Sequence, residues 1–78
     1  MYAEAAPDRR KLIVASNIRL ARKLKGYSQV RLAGLLDIEQ QQISRWERGI
    51  WEPSSTSLHR LAHKLDRPLW WFYQERGR

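Results

Sequence analysis

The stretch SQVRLAGLLDIEQQQISRWERG, residues 28 to 49, decides the fold, because it predicts two short helices joined by a tight turn. Ser28 is a good N-cap, since its hydroxyl can accept from backbone amides two or three residues further on. An apolar stripe at helical spacing follows, formed by Leu32, Ala33, Leu35 and Leu36. Asp37 interrupts this stripe, and Gly49 supplies a left-handed stop after the second helix.

The second of these helices, predicted from Glu39 to Arg48, separates apolar from polar side chains. At about 100° per residue, Ile43 and Trp46 share one side, as core residues do. The opposite arc carries amides, a hydroxyl and guanidiniums but no acid: Gln40, Gln41, Ser44, Arg45 and Arg48. Glutamine pairs bidentately with adenine, and arginine with guanine, in the major groove of DNA. This pattern therefore predicts a helix that reads DNA bases.

Composition narrows the class of protein. A chain of 78 residues makes one domain, whose core is small enough that every apolar position matters. Fifteen basic against eight acidic residues give a net charge of +7, which suggests a polyanionic partner, although a merely soluble basic protein has the same charge. The absence of cysteine excludes a disulfide framework and a thiolate zinc site. Neither a membrane-spanning run nor a signal peptide is present, so we expect a cytoplasmic protein with no membrane partner.

Outside the opening stretch the chain predicts three further helices and no strand. Residues 1–7 are Ala-rich and unpatterned, which predicts a flexible tail ahead of one domain over residues 8–76. A first helix runs from an N-cap at Asp8 to about Lys25. The fourth helix has the cleanest apolar stripe: Leu58, Leu61, Ala62 and Leu65. Because Pro68 suits the first turn of a fifth, short helix, the predicted class is all-α with five helices.

With these helices placed, the sequence resembles the lambda-repressor-like helix-turn-helix family, the Cro and Xre regulators of phages and bacteria. The resemblance covers about three-quarters of the chain, from Val14 to Tyr73. Its segments follow in order: Ile18-Arg19, Arg22, Ser28-Gln29, Leu32-Ala33, Ile43 to Gly49, Pro53-Ser54, Leu58, Leu61-Ala62, Leu65 and Leu69. It implies a five-helix domain with the helix-turn-helix at helices two and three. It also implies a sequence-specific regulator of transcription, most often a repressor, that binds a two-fold operator in double-stranded DNA as a homodimer.

The resemblance further implies roles for individual residues. The base-reading positions match Gln40, Gln41 and Arg45, with Gln42 and Ser44 as flanking contacts. The phosphate-binding residues are expected to be Gln29, Ser28, Arg48 and Arg19. Arg22 and Glu47 match an ion pair that links helix one to the reading helix. Two positions depart from the family pattern, because Asp37 replaces a common glycine and Glu39 replaces a Ser or Thr cap.

The predicted fifth helix carries successive aromatic residues that cannot all face inward. At about 100° per residue, Leu69 and Phe72 enter the core and leave Trp71 and part of Trp70 outside. Small monomers rarely leave such a surface bare, and the family often dimerises through this end. We therefore expect a two-fold dimer with Trp70 or Trp71 at its centre. The alternative is that the tail after Tyr73 folds back over these rings.

Other functions find less support in the sequence. His59 and His63 have the i, i+4 spacing of a metal site, but no third ligand is evident, so two surface histidines are the better interpretation and we expect no metal or cofactor. Trp51 is either a packed loop plug or a sugar-phosphate contact. Catalysis is not expected, because the chain has no cysteine, no glycine-rich phosphate loop and no acid pair in a predicted cleft. Two alternative functions remain: an antitoxin that also binds a toxin partner, and a protein-interaction module that keeps the fold without binding DNA.

Overall fold

The computed structural model describes residues 9–76, which form four α-helices and one 3-10 helix. The elements are α1 (Arg9–Leu24), α2 (Gln29–Leu36), α3 (Gln40–Glu47), α4 (Ser55–Leu65) and the 3-10 helix (Leu69–Tyr73). No strand occurs within these residues, so the all-α prediction is confirmed. No helix in this part of the chain combines the length and apolar composition needed to cross a membrane. The predicted tail, residues 1–7, and the predicted cap Asp8 lie outside the described residues.

One apolar core joins the helices. Its fully buried side chains come from every element and include Val14, Ile18, Leu32, Leu36, Ile43, Leu58, Leu61, Leu65 and Phe72. Ile43 and Trp46 are buried, as predicted for the inward side of α3, and the predicted stripe of α4 is buried throughout. The stripe of α2 is buried except at Leu35, which is half-buried. The core therefore fixes which side of α3 remains outside.

The turn between α2 and α3 depends on Asp37, which has a left-handed backbone with φ 58° and ψ 47°. Aspartate is one of the few non-glycine residues that adopt this conformation readily. Ser28 caps α2 as predicted, because its Oγ accepts from the Arg31 amide at 3.0 Å. Glu39 occupies the N-cap position of α3 but makes no capping hydrogen bond. The two departures from the family pattern therefore behave differently: Asp37 adopts the required geometry, while α3 begins without a side-chain cap.

The fifth element corrects the predicted count of five α-helices, because Leu69–Tyr73 is a 3-10 helix. With three residues per turn, residues i and i+3 share a side. Leu69 and Phe72 therefore both face the core, while Trp70 and Tyr73 share an exposed side. The prediction used the α-helical angle of about 100° per residue, whereas successive residues of a 3-10 helix turn by about 120°.

Trp71 lies on the third side of the 3-10 helix and is half-buried, so the prediction that it points outward is wrong. The Arg76 guanidinium lies 3.8 Å from the Trp71 ring centroid, and that of Arg67 lies 5.3 Å from it. Arg76 Nε also donates to Asn17 Oδ1 at 3.0 Å, while Asn17 Nδ2 donates to the Phe72 carbonyl at 2.9 Å. The C-terminal tail thus folds back over Trp71 but leaves Trp70 62% exposed, so the alternative prediction holds for Trp71 and not for Trp70.

Candidate nucleic-acid interface

The side of α3 that faces away from the core carries polar side chains that are exposed or half-exposed. We call this the outward surface of α3, formed by Gln40, Gln41, Gln42, Ser44, Arg45 and Arg48. Within Gln40–Glu47 the only acidic residue is Glu47, and its side chain is 3% exposed. Because this carboxylate is withdrawn into the protein, the outward surface presents amides, a hydroxyl and guanidiniums.

A buried ion pair holds α3 against α1. Arg22 Nε and Nη2 donate to the two carboxylate oxygens of Glu47 at 2.6 Å and 2.9 Å, and Nη1 donates to the Tyr27 carbonyl at 2.9 Å. The hydrogen bond to Glu47 raises the pKa of Arg22 above its ordinary value, although burial opposes this change. The structure thus brings together the two residues that the family resemblance pairs. This bidentate geometry fixes the end of α3 in both position and rotation.

Gln29, the first residue of α2, connects this ion pair to the outward surface of α3. Its Nε2 donates to Glu47 Oε1 at 3.0 Å, and its Oε1 accepts from Gln40 Nε2 at 2.6 Å. An amide nitrogen carries two donors, so a second N–H of Gln29 remains for a phosphate oxygen. The hydrogen bonds therefore run from the interior through Gln29 to Gln40, and they set the position of a predicted base-reading side chain.

Arg45 is held from two sides. Its guanidinium lies 4.9 Å from the centroid of the Trp51 ring, and its Nη2 donates to Gln41 Oε1 over a long 3.4 Å. Trp51 is 52% exposed, which does not fit a packed loop plug, the first of the two alternatives that the sequence left open. Arg48, at the C-cap, donates through Nε to Ser44 Oγ at 3.1 Å. Among the predicted base readers, Arg45 thus has an aromatic neighbour that sequence reasoning did not assign to it.

Sequence reasoning also missed Glu39, which lies next to the outward surface of α3 at the N-cap position. A shallow groove of about 270 Å³ beside α3 is lined by Ile38, Glu39, Gln42 and Arg45. The Glu39 side chain is exposed and does not cap the helix, so its carboxylate is available at the groove. A carboxylate can accept from the N4 amino group of cytosine. The signal was present in the sequence, because a glutamate at an N-cap position rarely caps.

The remaining predicted residues lie around α3 or away from it. Ser28 and Arg19 are exposed, on the cap of α2 and on α1. Trp70 is 62% exposed at the far end of the chain. His59 and His63 are exposed on α4, and no group of three or more His, Asp or Glu side chains within residues 9–76 is placed to hold a metal ion.

Comparisons with known proteins match both the sequence and the fold. A family model described as helix-turn-helix matches residues 18–72. The chain is 34% identical over 62 residues to an uncharacterized HTH-type transcriptional regulator of Sinorhizobium medicae (strain WSM419) and equally to one of Rhizobium meliloti (strain 1021). Each match covers 80% of this chain and 45% of the relative, so the chain spans about half the length of the curated relatives it matches.

A solved structure with a similar fold also belongs to a protein named as a transcription factor. The crystal structure of the hypothetical transcription factor NHTF from Neisseria superposes with a TM-score of 0.81 at 25% sequence identity. The match covers 96% of this chain and 88% of that one. The relatives are named as regulators of transcription, not as enzymes. The chain therefore belongs to the lambda-repressor-like helix-turn-helix family of regulators.

Proposed function

We propose that this chain is a sequence-specific DNA-binding regulator of transcription in which α3 enters the major groove and reads base edges. The observation that carries this proposal is the outward surface of α3, which from Gln40 to Arg48 presents amides, a hydroxyl and guanidiniums and no exposed carboxylate. Its glutamine amides and guanidiniums are the groups that pair bidentately with adenine and guanine. The buried pair of Arg22 and Glu47 supports the proposal because it fixes the orientation of the helix that presents them.

The proposed contacts divide into those that choose the sequence and those that set the register. Gln40, Gln41 and Arg45 read bases, flanked by Gln42 and Ser44. Gln29, Ser28, Arg48 and Arg19 bind phosphates. A net charge of +7 draws the chain towards DNA of any sequence and makes the affinity depend on salt.

The active form that we propose is a two-fold homodimer. Trp70 and Tyr73 are 62% and 43% exposed on one side of the 3-10 helix, and this shared aromatic side supports an interface there. Trp71 contributes less than predicted, because two arginines cover its ring. A dimer of this kind places two α3 helices about one DNA turn apart, on an inverted repeat. Occupation of such an operator in the cytoplasm blocks polymerase, which makes the chain a repressor.

Selection of bound duplexes from random DNA tests the proposed sequence specificity. We expect enrichment of an inverted repeat with half-site centres about 10 base pairs apart, and an affinity that falls steeply with salt. Enrichment of no common sequence would contradict base reading. Absence of binding even at low salt would contradict the DNA-binding proposal as a whole.

Sedimentation of the Trp70→Ala variant tests the proposed dimer. The wild-type chain should sediment as a dimer at low micromolar concentration and the variant as a monomer, because the truncation removes a large aromatic anchor from the interface. Leu24→Ala is a matched control, since Leu24 is similarly exposed at 58% but lies on α1. A Trp70→Ala variant that remains dimeric would place the interface elsewhere.

A further inference from the structure

Trp51 lies in the loop after α3, beside a side chain that we propose to read bases. We infer that Trp51 is a positioning residue for sequence reading, because its indole face holds the Arg45 guanidinium in the orientation that contacts a base. This inference rests on the proposed function. It adds a residue that determines specificity without itself contacting the base.

The loop that carries Trp51 is fixed on both sides. The amides of Ile50 and Trp51 donate to the Arg45 carbonyl at 3.0 Å and 3.5 Å, so the loop backbone is bonded to the residue on which the ring stacks. On the other side, Arg10 Nε lies 3.3 Å from Glu52 Oε2 and ties the loop to α1. The indole ring is therefore presented by a backbone that is already in place before any partner binds.

Stacking leaves the hydrogen-bonding capacity of Arg45 available. A guanidinium has five N–H donors in its plane, and a cation–π contact uses its face and not these donors. Only the long bond from Nη2 to Gln41 engages a donor of the Arg45 side chain within the described residues. The remaining donors can pair with O6 and N7 of guanine. Restricting the side chain before binding also reduces the entropy that is lost on binding.

Replacements of Trp51 show whether operator affinity depends on its aromatic face or only on the size of an apolar side chain. Against the selected operator, Trp51→Ala and Trp51→Leu should each weaken binding by about three- to thirtyfold, the range expected for loss of a cation–π contact. Trp51→Phe should lose less, because it keeps an aromatic face. Binding to random DNA should not change. Equal affinity of wild type and Trp51→Leu for the operator would overturn the inference, since leucine keeps the bulk alone.

A double-mutant cycle decides whether Trp51 acts through Arg45. In an Arg45→Ala background, Trp51→Ala should cause no further loss of operator affinity, because the group that it positions is absent. A loss of the same size in both backgrounds would overturn the inference, since Trp51 would then contact DNA itself. Far-UV circular dichroism of each variant verifies that the helices are retained, and Trp51→Leu, which also removes the aromatic face, serves in the cycle if Trp51→Ala loses them.

An NMR measurement without DNA tests the contact between Arg45 and Trp51 separately from the proposed function. In the free chain, the side-chain protons of Arg45 should be shifted upfield by the ring current of Trp51, and Trp51→Leu should abolish the shift. Absence of the shift in wild type would overturn the inference even if DNA reading is confirmed. If wild type selects no DNA sequence, the proposed function fails and the reading role of Trp51 is overturned with it. If wild type selects an operator but Trp51→Ala causes the same loss of affinity with and without Arg45, the proposed function stands and the inference about Trp51 fails.

Discussion

The two sides of α3 hold arginines in opposite ways. On the inner side, Arg22 donates through Nε and Nη2 to Glu47 and through Nη1 to the Tyr27 carbonyl, and its side chain is 10% exposed. On the outer side, Arg45 is held by the face of Trp51 and by one long hydrogen bond. Every guanidinium nitrogen of Arg22 is engaged in a buried position, whereas an arginine that is fixed by an aromatic face keeps most of its five N–H donors for a partner. The inner side therefore orients the helix, and the outer side remains free to recognise a ligand.

The largest expected effect comes from breaking the inner pair. Arg22→Met leaves the Glu47 carboxylate buried without its partner, and Glu47→Leu leaves the guanidinium of Arg22 in the same state. Each single change should lower the free energy of unfolding by about 3 kcal/mol or more. The double variant should lose less than either single variant, because no unpaired buried charge remains. Urea unfolding at pH 7 measures all three values.

A result in which the two single losses simply add would contradict this account of the inner pair. Additive losses are what two independent sites give, and the two side chains are in direct contact. Arg22 and Glu47 would then stabilise the fold through separate contacts, Arg22 with the Tyr27 carbonyl and Glu47 with Gln29.

Substitutions on the outer side of α3 should change DNA affinity and leave the free energy of unfolding nearly unchanged. Arg45→Ala or Gln41→Ala should leave the free energy of unfolding within about 0.5 kcal/mol of wild type, because neither side chain supports the core. Each should weaken binding to the selected operator by about 1–3 kcal/mol, and random DNA by much less. Titration of both DNAs, together with urea unfolding, measures the two effects on the same protein samples.

Arg48→Ala is the matched control for these outer variants, because it removes a guanidinium that we propose to contact phosphate. It should weaken operator and random DNA alike and reduce the slope of log affinity against log salt by about 1. If Arg45→Ala behaves like Arg48→Ala, then Arg45 is not a base reader and the contrast between the two sides of α3 disappears.

Much of this fold could be predicted, because it depends on local periodicity. The apolar side of α3, the stripe of α4 and the serine cap of α2 all follow from residues within one or two turns of each other. The contact of Arg22 with Glu47 joins residues 25 positions apart, and only resemblance to a known family pointed to it. Local patterns therefore identified the elements and their inner faces.

What could not be predicted depends on contacts between distant parts of the chain. The 3-10 helix is held by Asn17, which donates to the Phe72 carbonyl 55 residues away, and no periodicity in five residues distinguishes this geometry from an α-helix. The stack of Arg45 on Trp51 depends on the course of a loop whose sequence has no repeat. Single-sequence patterns do not describe such contacts, because they carry no information on how a loop returns to a helix.

A smaller effect on the free energy of unfolding is expected at the start of α3. Ser28 and Ser54 cap α2 and α4 through their side chains, whereas Glu39 does not cap α3 although its backbone is extended, with φ −82° and ψ 147°. Glu39→Asp keeps the negative charge and brings the carboxylate within reach of the free amides. It should raise the free energy of unfolding by about 0.5–1 kcal/mol. Glu39→Gln adds no cap and should give no gain, so equal urea midpoints for the two variants would contradict this explanation.

The smallest expected effect concerns an ion pair exposed to solvent, formed by Lys25 and Asp66, and it tests whether burial makes the inner pair important. Lys25 Nζ lies 2.6 Å from Asp66 Oδ2, with the two side chains 31% and 71% exposed. The hydrogen bond from Lys25 lowers the pKa of Asp66 below its ordinary value and raises the pKa of Lys25. Because water and salt screen exposed charges, this pair should contribute far less than Arg22 with Glu47.

Asp66→Asn removes the charge of the exposed pair while retaining the left-handed backbone at φ 57°, which asparagine also adopts. Because the folded-state pKa of Asp66 lies below the unfolded value of about 3.9, the pair stabilises the fold above that pH, and the contribution is lost as the pH falls through the folded pKa. Urea unfolding from pH 7 to pH 2 should therefore show a small deficit for Asp66→Asn that closes in acid and shrinks with added salt. A deficit that persists at pH 2 would mean that Asp66 acts through its backbone position rather than its charge. A deficit as large as that of Arg22→Met would mean that burial is not what makes the inner pair strong.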